Sequence, residues 1–335
     1  MEIHGRRRKD CVFAMARYVF IINPKAGKQN AVETVLPRIE AYFRSNPCPY
    51  TVHVTNAPGH ATELARAEAA VGDPVRVIAV GGDGTLCEVA NGLIARENAA
   101  VGILPCGSGN DYLKLFGTHD DFTDLDRLMH AEPHWVDMIH GRDISALNIC
   151  CAGLDASVAM NMVRYKKLPL VTGTMAYDIA LLRAFLGRLG NDMRIWVDDR
   201  LVAEGEFLLS VFANGRCYGG GYYASPESMI DDGQLDVILV RVPKSRLQIP
   251  PLLKLYKVGD HLHAPEFRDL LSVYHGRTIS FQAKNPVAVT VDGECVMAQE
   301  MSFTVIPSAV QFLVPAGCST TCLAAAQKEA VVAAQ

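Results

Sequence analysis

Val75-Arg76-Val77-Ile78-Ala79-Val80-Gly81-Gly82-Asp83-Gly84-Thr85 is the stretch on which the fold turns. Val75 to Val80 is short and almost wholly apolar, which is how a strand covered on both faces reads. The glycines after it permit positive φ and let the backbone come close to a ligand. Leu86, Val89, Ala90, Leu93 and Ile94 then recur at helical spacing. The order strand, glycine turn, helix puts the turn where unpaired N–H groups and the positive end of a helix dipole favour an anion.

The same order repeats on both sides. Upstream, Tyr18 to Ile22 reads as a strand and Asn23-Pro24-Lys25-Ala26-Gly27-Lys28 breaks it. Val32, Val35, Leu36, Ile39 and Phe43 share a helical face, Tyr50 to Val54 alternates as a strand, and Ala61 to Ala70 reads as a helix. Downstream, Val101 to Leu104 is a strand, and Pro105 to Asp111 carries the second glycine turn, Gly107-Ser108-Gly109-Asn110-Asp111. Alternating strands and helices predict a parallel sheet with right-handed crossovers. Ligands of such sheets bind at the carboxyl ends of the strands, and all three polar loops fall at that edge. Two glycine loops beside Asn23 to Lys28 suit a triphosphate held from two sides, with Thr85 capping the helix or touching a phosphate oxygen. Neither loop is a Walker A motif or a GxGxxG fingerprint.

After about residue 140 the texture changes. Ile144–Cys151, Met193–Val197, Leu201–Val202, Phe207–Ala213, Leu235–Val242, Thr278–Phe281, Val287–Val291 and Met301–Ile306 read as strands, with helical stretches at Met175–Leu186 and Leu247–Lys257. Asp198-Asp199-Arg200 reads as a hairpin turn. The expected fold class is α/β with two domains, an N-terminal parallel α/β nucleotide-binding domain and a C-terminal β-sandwich. Their expected bounds are 15–140, with 307–320 returning to the first, and 141–306, leaving tails at 1–14 and 321–335.

Two acidic motifs lie in the second domain. Asp292-Gly293-Glu294 follows Val287–Val291, and carboxylates two apart on one strand would point to the same side. The plain alternative is an Asp-Gly hairpin turn followed by a solvated Glu. Asp231-Asp232-Gly233 precedes a strand and offers oxygen donors of the kind hard cations take. His261 and His263 flank no second ligand and read as surface-loop residues.

The chain has 335 residues, half of them hydrophobic and a fifth charged, which is an ordinary globular composition long enough for two domains. A formal net charge of −4 gives no basic signature, so nucleic acid is not an expected partner. The ten cysteines include no CxxC pair, which reads as reduced thiols in a cytoplasmic protein. No run of about eighteen apolar residues appears, so no transmembrane helix is expected. Arg6-Arg7-Arg8-Lys9 reads either as a solvated leader or as a contact for anionic lipid.

Gly81-Gly82-Asp83-Gly84-Thr85-x-x-Glu88-Val89-x-Asn91-Gly92-Leu93 resembles the signature of the diacylglycerol kinase catalytic domain, as does Pro105-x-Gly107-Ser108-Gly109-Asn110-Asp111. Asn23-Pro24-x-x-Gly27, Thr55 with His60-Ala61, Asn214, Gly219-Gly220-Gly221, Pro226, Asp232-Gly233-x-Leu235-Asp236 and Asp292-Gly293-Glu294 match in order, from about Arg17 to Pro315. Cys87 stands where the family usually has Asn, and Ser108 where Thr is usual. The resemblance implies an ATP-dependent lipid kinase acting on a membrane lipid, diacylglycerol first, with transient peripheral membrane contact. It implies ATP contacts at Asn23, Pro24, Lys25, Ala26, Gly27, Thr55, Gly81, Gly82, Asp83, Gly84, Thr85, Gly107, Ser108, Asn110 and Asp111. It implies a general base in the second domain, with Glu294 accepting the hydroxyl proton and Asp292 supporting it. It implies a structural Mg²⁺ on Asp232 with the carbonyls of Met229 and Gln234. A catalytic Mg²⁺ on the phosphates is a separate requirement, with Asp83 or Asp111 to orient it. NAD kinase, sphingoid or ceramide kinase and an inactive nucleotide-binding regulator are the alternatives, and a homodimer is left open. Leu168–Val171 and Leu181–Leu186 read as either acyl-cleft lining or plain core.

Overall fold

The computed structural model of the chain describes residues 16–27, 29–107, 109–165 and 173–324. Arg6–Lys9, Lys28, Ser108 and Leu168–Val171 lie outside the described residues. The chain divides into two units, one comprising Met1–Asp137 with Ser308–Gln335 and the other Met138–Pro307.

The first unit is a parallel sheet with helices. Its strands are β1 (Arg17–Ile22), β2 (Tyr50–Val54), β3 (Val75–Gly81) and β4 (Ala99–Pro105), in the spatial order β2-β1-β3-β4. β3 and β4 are buried along their whole length, as their almost wholly apolar sequence requires, and the one charged residue, Arg76, donates to the Met129 and Ala131 carbonyls at 3.1 and 2.7 Å. The crossovers are α1 (Ala31–Ser45), α2 (His60–Ala70) and α3 (Asp83–Leu93), followed by the short α4 (His119–Thr123) and α5 (Leu125–Met129). Asn30 starts α1 by accepting the Val32 N–H on its side chain at 3.0 Å. Val35, Ile39 and Phe43 of α1 then pack on Phe20, Ile22, Ile78 and Val80. α3 begins three residues before its apolar spacing does, because its first turn is the polar Asp83-Gly84-Thr85.

The second unit is mainly antiparallel. Its strands are β5 (Glu132–Gly141, which enters from the first unit), β6 (Ile144–Ala146), β7 (Ile149–Gly153), β8 (Asn191–Val197), β9 (Arg200–Ala213), β10 (Leu235–Arg241), β11 (Leu271–Gly276), β12 (Thr278–Val291) and β13 (Glu294–Val314). The end of β13 belongs to the first unit, where Gln311 and Phe312 pair in parallel with Ala100 and Val101 of β4. Three helices complete it: α6 (Leu154–Tyr165), α7 (Gly173–Leu186) and α8 (Ile249–Val258). Asp198 and Asp199 both take positive φ and close the β8–β9 hairpin. Two apolar layers cover opposite sides of these strands. Phe207, Phe212, Phe281, Val289 and Phe303 lie in one, and Leu209, Val211, Val240, Leu252 and Tyr256 in the other.

Several elements differ from their sequence reading. Ile144–Cys151 is two strands, broken at Leu147-Asn148. Leu201–Val202 and Phe207–Ala213 are one strand, and so are Thr278–Phe281 and Val287–Val291, with a register irregularity between Gln282 and Val287.

Candidate active site

The three polar loops of the first unit form one connected cluster. Asn23 donates from its backbone to the Val80 carbonyl at 3.0 Å, accepts the Lys25 N–H on Oδ1 at 3.0 Å, and donates from Nδ2 to Thr85 Oγ1 at 3.1 Å. Ala26 closes the turn on the Asn23 carbonyl, and the Pro24 peptide lies inside it. Gly27 takes φ +82°, and a Cβ there would stand 2.5 Å from the Cys106 carbonyl oxygen, so only glycine lets the first loop lie against the third. Cys106 in turn donates to the Gly81 carbonyl at 2.9 Å. Thr55 extends the β1–β2 ladder by donating to the Ile22 carbonyl at 2.9 Å, which sets it beside the start of the first loop.

Four of the five glycines of the two glycine turns do different work. A Cβ on Gly81 would meet Thr85 Oγ1 at 2.4 Å, so crowding inside the protein requires glycine there. Gly82 is extended, at φ −109° and ψ −168°, and has room for a Cβ. The crowded glycine is therefore the first of the pair. Gly84 is exposed in the first turn of α3 with no protein atom within 4 Å of a Cβ. A Cβ on Gly107 would stand 3.8 Å from the Gly82 Cα, so the second and third loops face each other at close range. The amides of the first turn of α3 have no helical acceptor and open on this space.

Asn110 supplies the clearest sign of a missing partner. It sits at φ +48° and donates from Nδ2 to the Gly107 carbonyl at 2.9 Å. Its Oδ1 is buried with no hydrogen-bond donor among the described residues, and a Cβ on Gly82 would lie 3.8 Å from it. Buried acceptors of this kind are nearly always satisfied, here by a hydroxyl or amine that the described residues do not provide.

The two carboxylates of the cluster are turned inward. Asp83 Oδ1 accepts the Tyr112 N–H at 3.4 Å, binding the start of α3 to the third loop. Burial pushes the Asp83 carboxyl up, the neighbouring Asp111 charge pushes it further, and the backbone amides of Tyr112, Asp111 and Asn110 offset part of this. Asp111 is paired with Lys114 Nζ at 2.5 Å. Thr85 makes no helix cap. It is buried, and its hydroxyl oxygen receives Asn23. Other signature residues serve the frame. Glu88 accepts the Ala61 N–H at 3.2 Å, and a Cβ on Gly92 would stand 2.5 Å from the Thr62 carbonyl, so α2 and α3 touch closely there. Cys87 is buried, and Asn91 donates to its carbonyl at 2.8 Å.

In the second unit, Asp292 and Glu294 do not share a strand. Val291 pairs with Glu294, and Asp292 and Gly293 form the two-residue turn between β12 and β13, both at positive φ. The same-side argument from strand spacing therefore fails. What fixes Asp292 is the Leu147 N–H, which donates to its Oδ2 at 3.0 Å, while Glu294 is exposed. Asp232 also lies in a turn, accepting the Gln234 N–H at 2.9 Å on Oδ1. Burial raises its carboxyl, the Gln234 amide opposes this, and the charges of Asp236 and Asp231 raise it again. One carboxylate under that pressure is an oxygen donor of the kind that Mg²⁺ keeping its own waters takes. Among the described residues no cluster of three His, Cys, Asp or Glu makes a metal centre.

Two groups escaped sequence reading. His261 is fully buried, 4.6 Å from the Tyr256 ring, and not a surface residue; burial pulls its pKa down to about 4. Asp155 opens α6 with partial exposure, yet its Oδ2 is enclosed with no hydrogen bond among the described residues, and burial pushes its carboxyl up to about 7. Its only sequence signal is a carboxylate set in an apolar run, Gly153-Leu154-Asp155-Ala156.

Residues 17–140 match the diacylglycerol kinase catalytic domain, and residues 148–314 match the YegS C-terminal NAD kinase beta sandwich-like domain. This chain belongs to the diacylglycerol kinase-like lipid kinase family. Lipid kinases of this family are phosphotransferases, and the three-loop cluster lies within the matched catalytic domain. A probable lipid kinase, YegS-like, of Pseudomonas aeruginosa is 29% identical, covering 87% of this chain and 93% of the relative. One of the same description from Shewanella frigidimarina is 28% identical over 74% of this chain and 80% of the relative. A diacylglycerol kinase-type protein of Bacillus anthracis shares the fold, with a TM-score of 0.70 at 21% identity over 91% of this chain and 98% of that one.

Proposed function

We propose that this lipid kinase transfers the γ-phosphoryl group of ATP to the hydroxyl of a membrane lipid, diacylglycerol first among them, giving ADP and a phosphorylated lipid such as phosphatidic acid. The observation that carries the ATP site is the close approach of Gly82 and Gly107 beside Gly84, with Asn110 Oδ1 buried there and given no hydrogen-bond donor among the described residues. Helix amides there offer donors to phosphate oxygens, and Asn110 offers an acceptor to a nucleotide hydroxyl or amine. Catalysis by such a site is mainly positioning and charge neutralisation. When bound, Mg²⁺ neutralises phosphate charge.

The acceptor oxygen forms a bond to the γ-phosphorus as the bond to the β-phosphate oxygen breaks, and the hydroxyl proton passes to a carboxylate. The geometry favours Asp292 for that task. Its position is held by the Leu147 amide, whereas Glu294 is a solvated side chain at the start of β13, better suited to support. Asp232 with the carbonyls of Met229 and Gln234 would hold a structural Mg²⁺ in the second unit.

The test offers γ-labelled ATP in parallel to dispersed diacylglycerol and to NAD. Label extracted with the lipid supports the reading. Label found only in NADP overturns it, and label in neither product makes the chain a nucleotide-binding regulator.

A further inference from the structure

Helix α7 carries large apolar side chains on one solvent-facing line. Met175, Ile179, Leu182 and Leu186 stand at i, i+4, i+7 and i+11, with exposures of 47%, 40%, 58% and 70%. The opposite side of the helix satisfies the fold: Ala180 is buried, and Ala184 and Phe185 pack on the second unit's core. Leu182 and Leu186 thus lie outside the core. The stripe continues onto a second element. Arg246 donates to the carbonyls of Phe185 and Gly187, the latter at 2.9 Å, which brings Leu247, 83% exposed, to the end of α7. A Cβ on Gly190 would stand 2.5 Å from Val242, so the two segments are in close contact.

Cations flank this end. Arg183 and Lys244 are exposed, Arg246 is exposed while it clamps the helix end, and Arg188 pairs with Glu206 at 2.8 Å. Asp178 is the only acidic residue of the helix. Single exposed leucines are ordinary, but an aligned apolar row with a basic margin is an interaction surface.

We propose that this stripe, Ile179, Leu182, Leu186 and Leu247 with Arg183, Lys244 and Arg246, is the face by which the protein lies on an anionic bilayer. A helix of 14 residues is too short to span a membrane, and no described helix is long and apolar enough to do so. An amphipathic helix with a basic margin instead rests in the headgroup plane with its apolar side buried. A second copy is the poorer occupant, because the helix would offer the three cations of the other chain a single acidic residue, Asp178. An anionic surface neutralises them. The proposal deepens the lipid-acceptor reading, since a kinase whose acceptor stays in the bilayer must approach its surface.

The test is co-sedimentation of the full chain with phosphatidylcholine vesicles, alone or containing roughly a third phosphatidylglycerol. Wild type is expected to bind the mixed vesicles and to be released by high salt. Leu182→Glu with Leu186→Glu, and separately Arg183→Glu with Lys244→Glu, are expected to bind at least about tenfold more weakly. Circular dichroism should stay native, since each side chain is solvent-facing, and turnover of a short-chain diacylglycerol dissolved as monomers should be unchanged. Failure of wild type to bind, or equal binding by both variants, overturns the docking surface. So does a wild-type dimer that Leu186→Glu splits while vesicle binding persists. If the stripe governs vesicle binding but no lipid is phosphorylated, the docking face stands and the kinase reading falls.

Discussion

Asn23 Nδ2 donates to Thr85 Oγ1 at 3.1 Å, and this bond joins the loop after β1 to the first turn of α3. The Thr85 hydroxyl is also the atom that a Cβ on Gly81 would strike at 2.4 Å. One contact thus explains why the strand must end in glycine and why the first loop keeps an amide side chain.

The glycines of this turn should separate by mechanism. Gly81→Ala displaces Thr85 and is expected to cost stability on the order of 1–3 kcal/mol, together with ATP affinity. Gly84→Ala meets no protein atom and sits in a helix, so stability should hold or rise by up to about 1 kcal/mol. Its ATP affinity should nevertheless fall at least about tenfold, because only a ligand comes close there. Thermal melting with ATP titration checks both. Unchanged ATP affinity in Gly84→Ala would remove the anion site from the start of α3.

Asp292→Asn keeps a side chain that can accept the Leu147 N–H and a residue pair, Asn-Gly, that suits the same turn. Folding and ATP binding should match wild type while turnover drops on the order of 10²-fold or more. Glu294→Gln should cost less. Turnover within a few-fold of wild type in both variants would take the proton-accepting role away from this hairpin.

A cation at Asp232 stabilises only the folded state. Added Mg²⁺ should raise the melting temperature of wild type, and Asp232→Ala should lose that rise without losing ATP binding by the first unit. Equal shifts in the two proteins would mean that Asp232 binds no metal.

His261 sets an acid limit on the second unit. Burial lowers its pKa from 6.5 to about 4, so the unfolded chain takes up a proton that the folded chain refuses. Stability from this residue is complete above about pH 6.5 and falls as pH drops toward 4, by on the order of 2–3 kcal/mol. His261→Phe should flatten the stability–pH curve across that window relative to wild type. An equal fall in unfolding free energy between pH 7 and pH 4.5 for the two proteins, measured by denaturant titration, would contradict this.

The sheet of the first unit was legible because β3 and β4 are apolar apart from Arg76 and each ends in a glycine loop, a pattern that local sequence alone imposes. The start of α3 was not, since Asp83-Gly84-Thr85 carries no apolar spacing to announce a helix. Long strands were cut where polar runs such as Glu204-Gly205-Glu206 and Lys284-Asn285-Pro286 interrupt the alternation, although β8 pairs through the first run and the β12–β13 ladder resumes at Val287 after the second. The Asp292-Gly293 turn was visible as an alternative, but its anchor, the Leu147 amide, is 145 residues away in sequence. His261 misled because Asp260-His261-Leu262-His263 is locally polar, and packing against Tyr256 decides its burial.

The most direct test of the lipid kinase account follows ADP release and organic-phase label in the same tube, with γ-labelled ATP, Mg²⁺ and dispersed diacylglycerol supplied or withheld. The account predicts that ADP forms only with the lipid present, one labelled lipid for each ADP, and that Asp292→Asn abolishes both signals together. ADP released at the same rate without lipid, or label that never enters the organic phase, would contradict it.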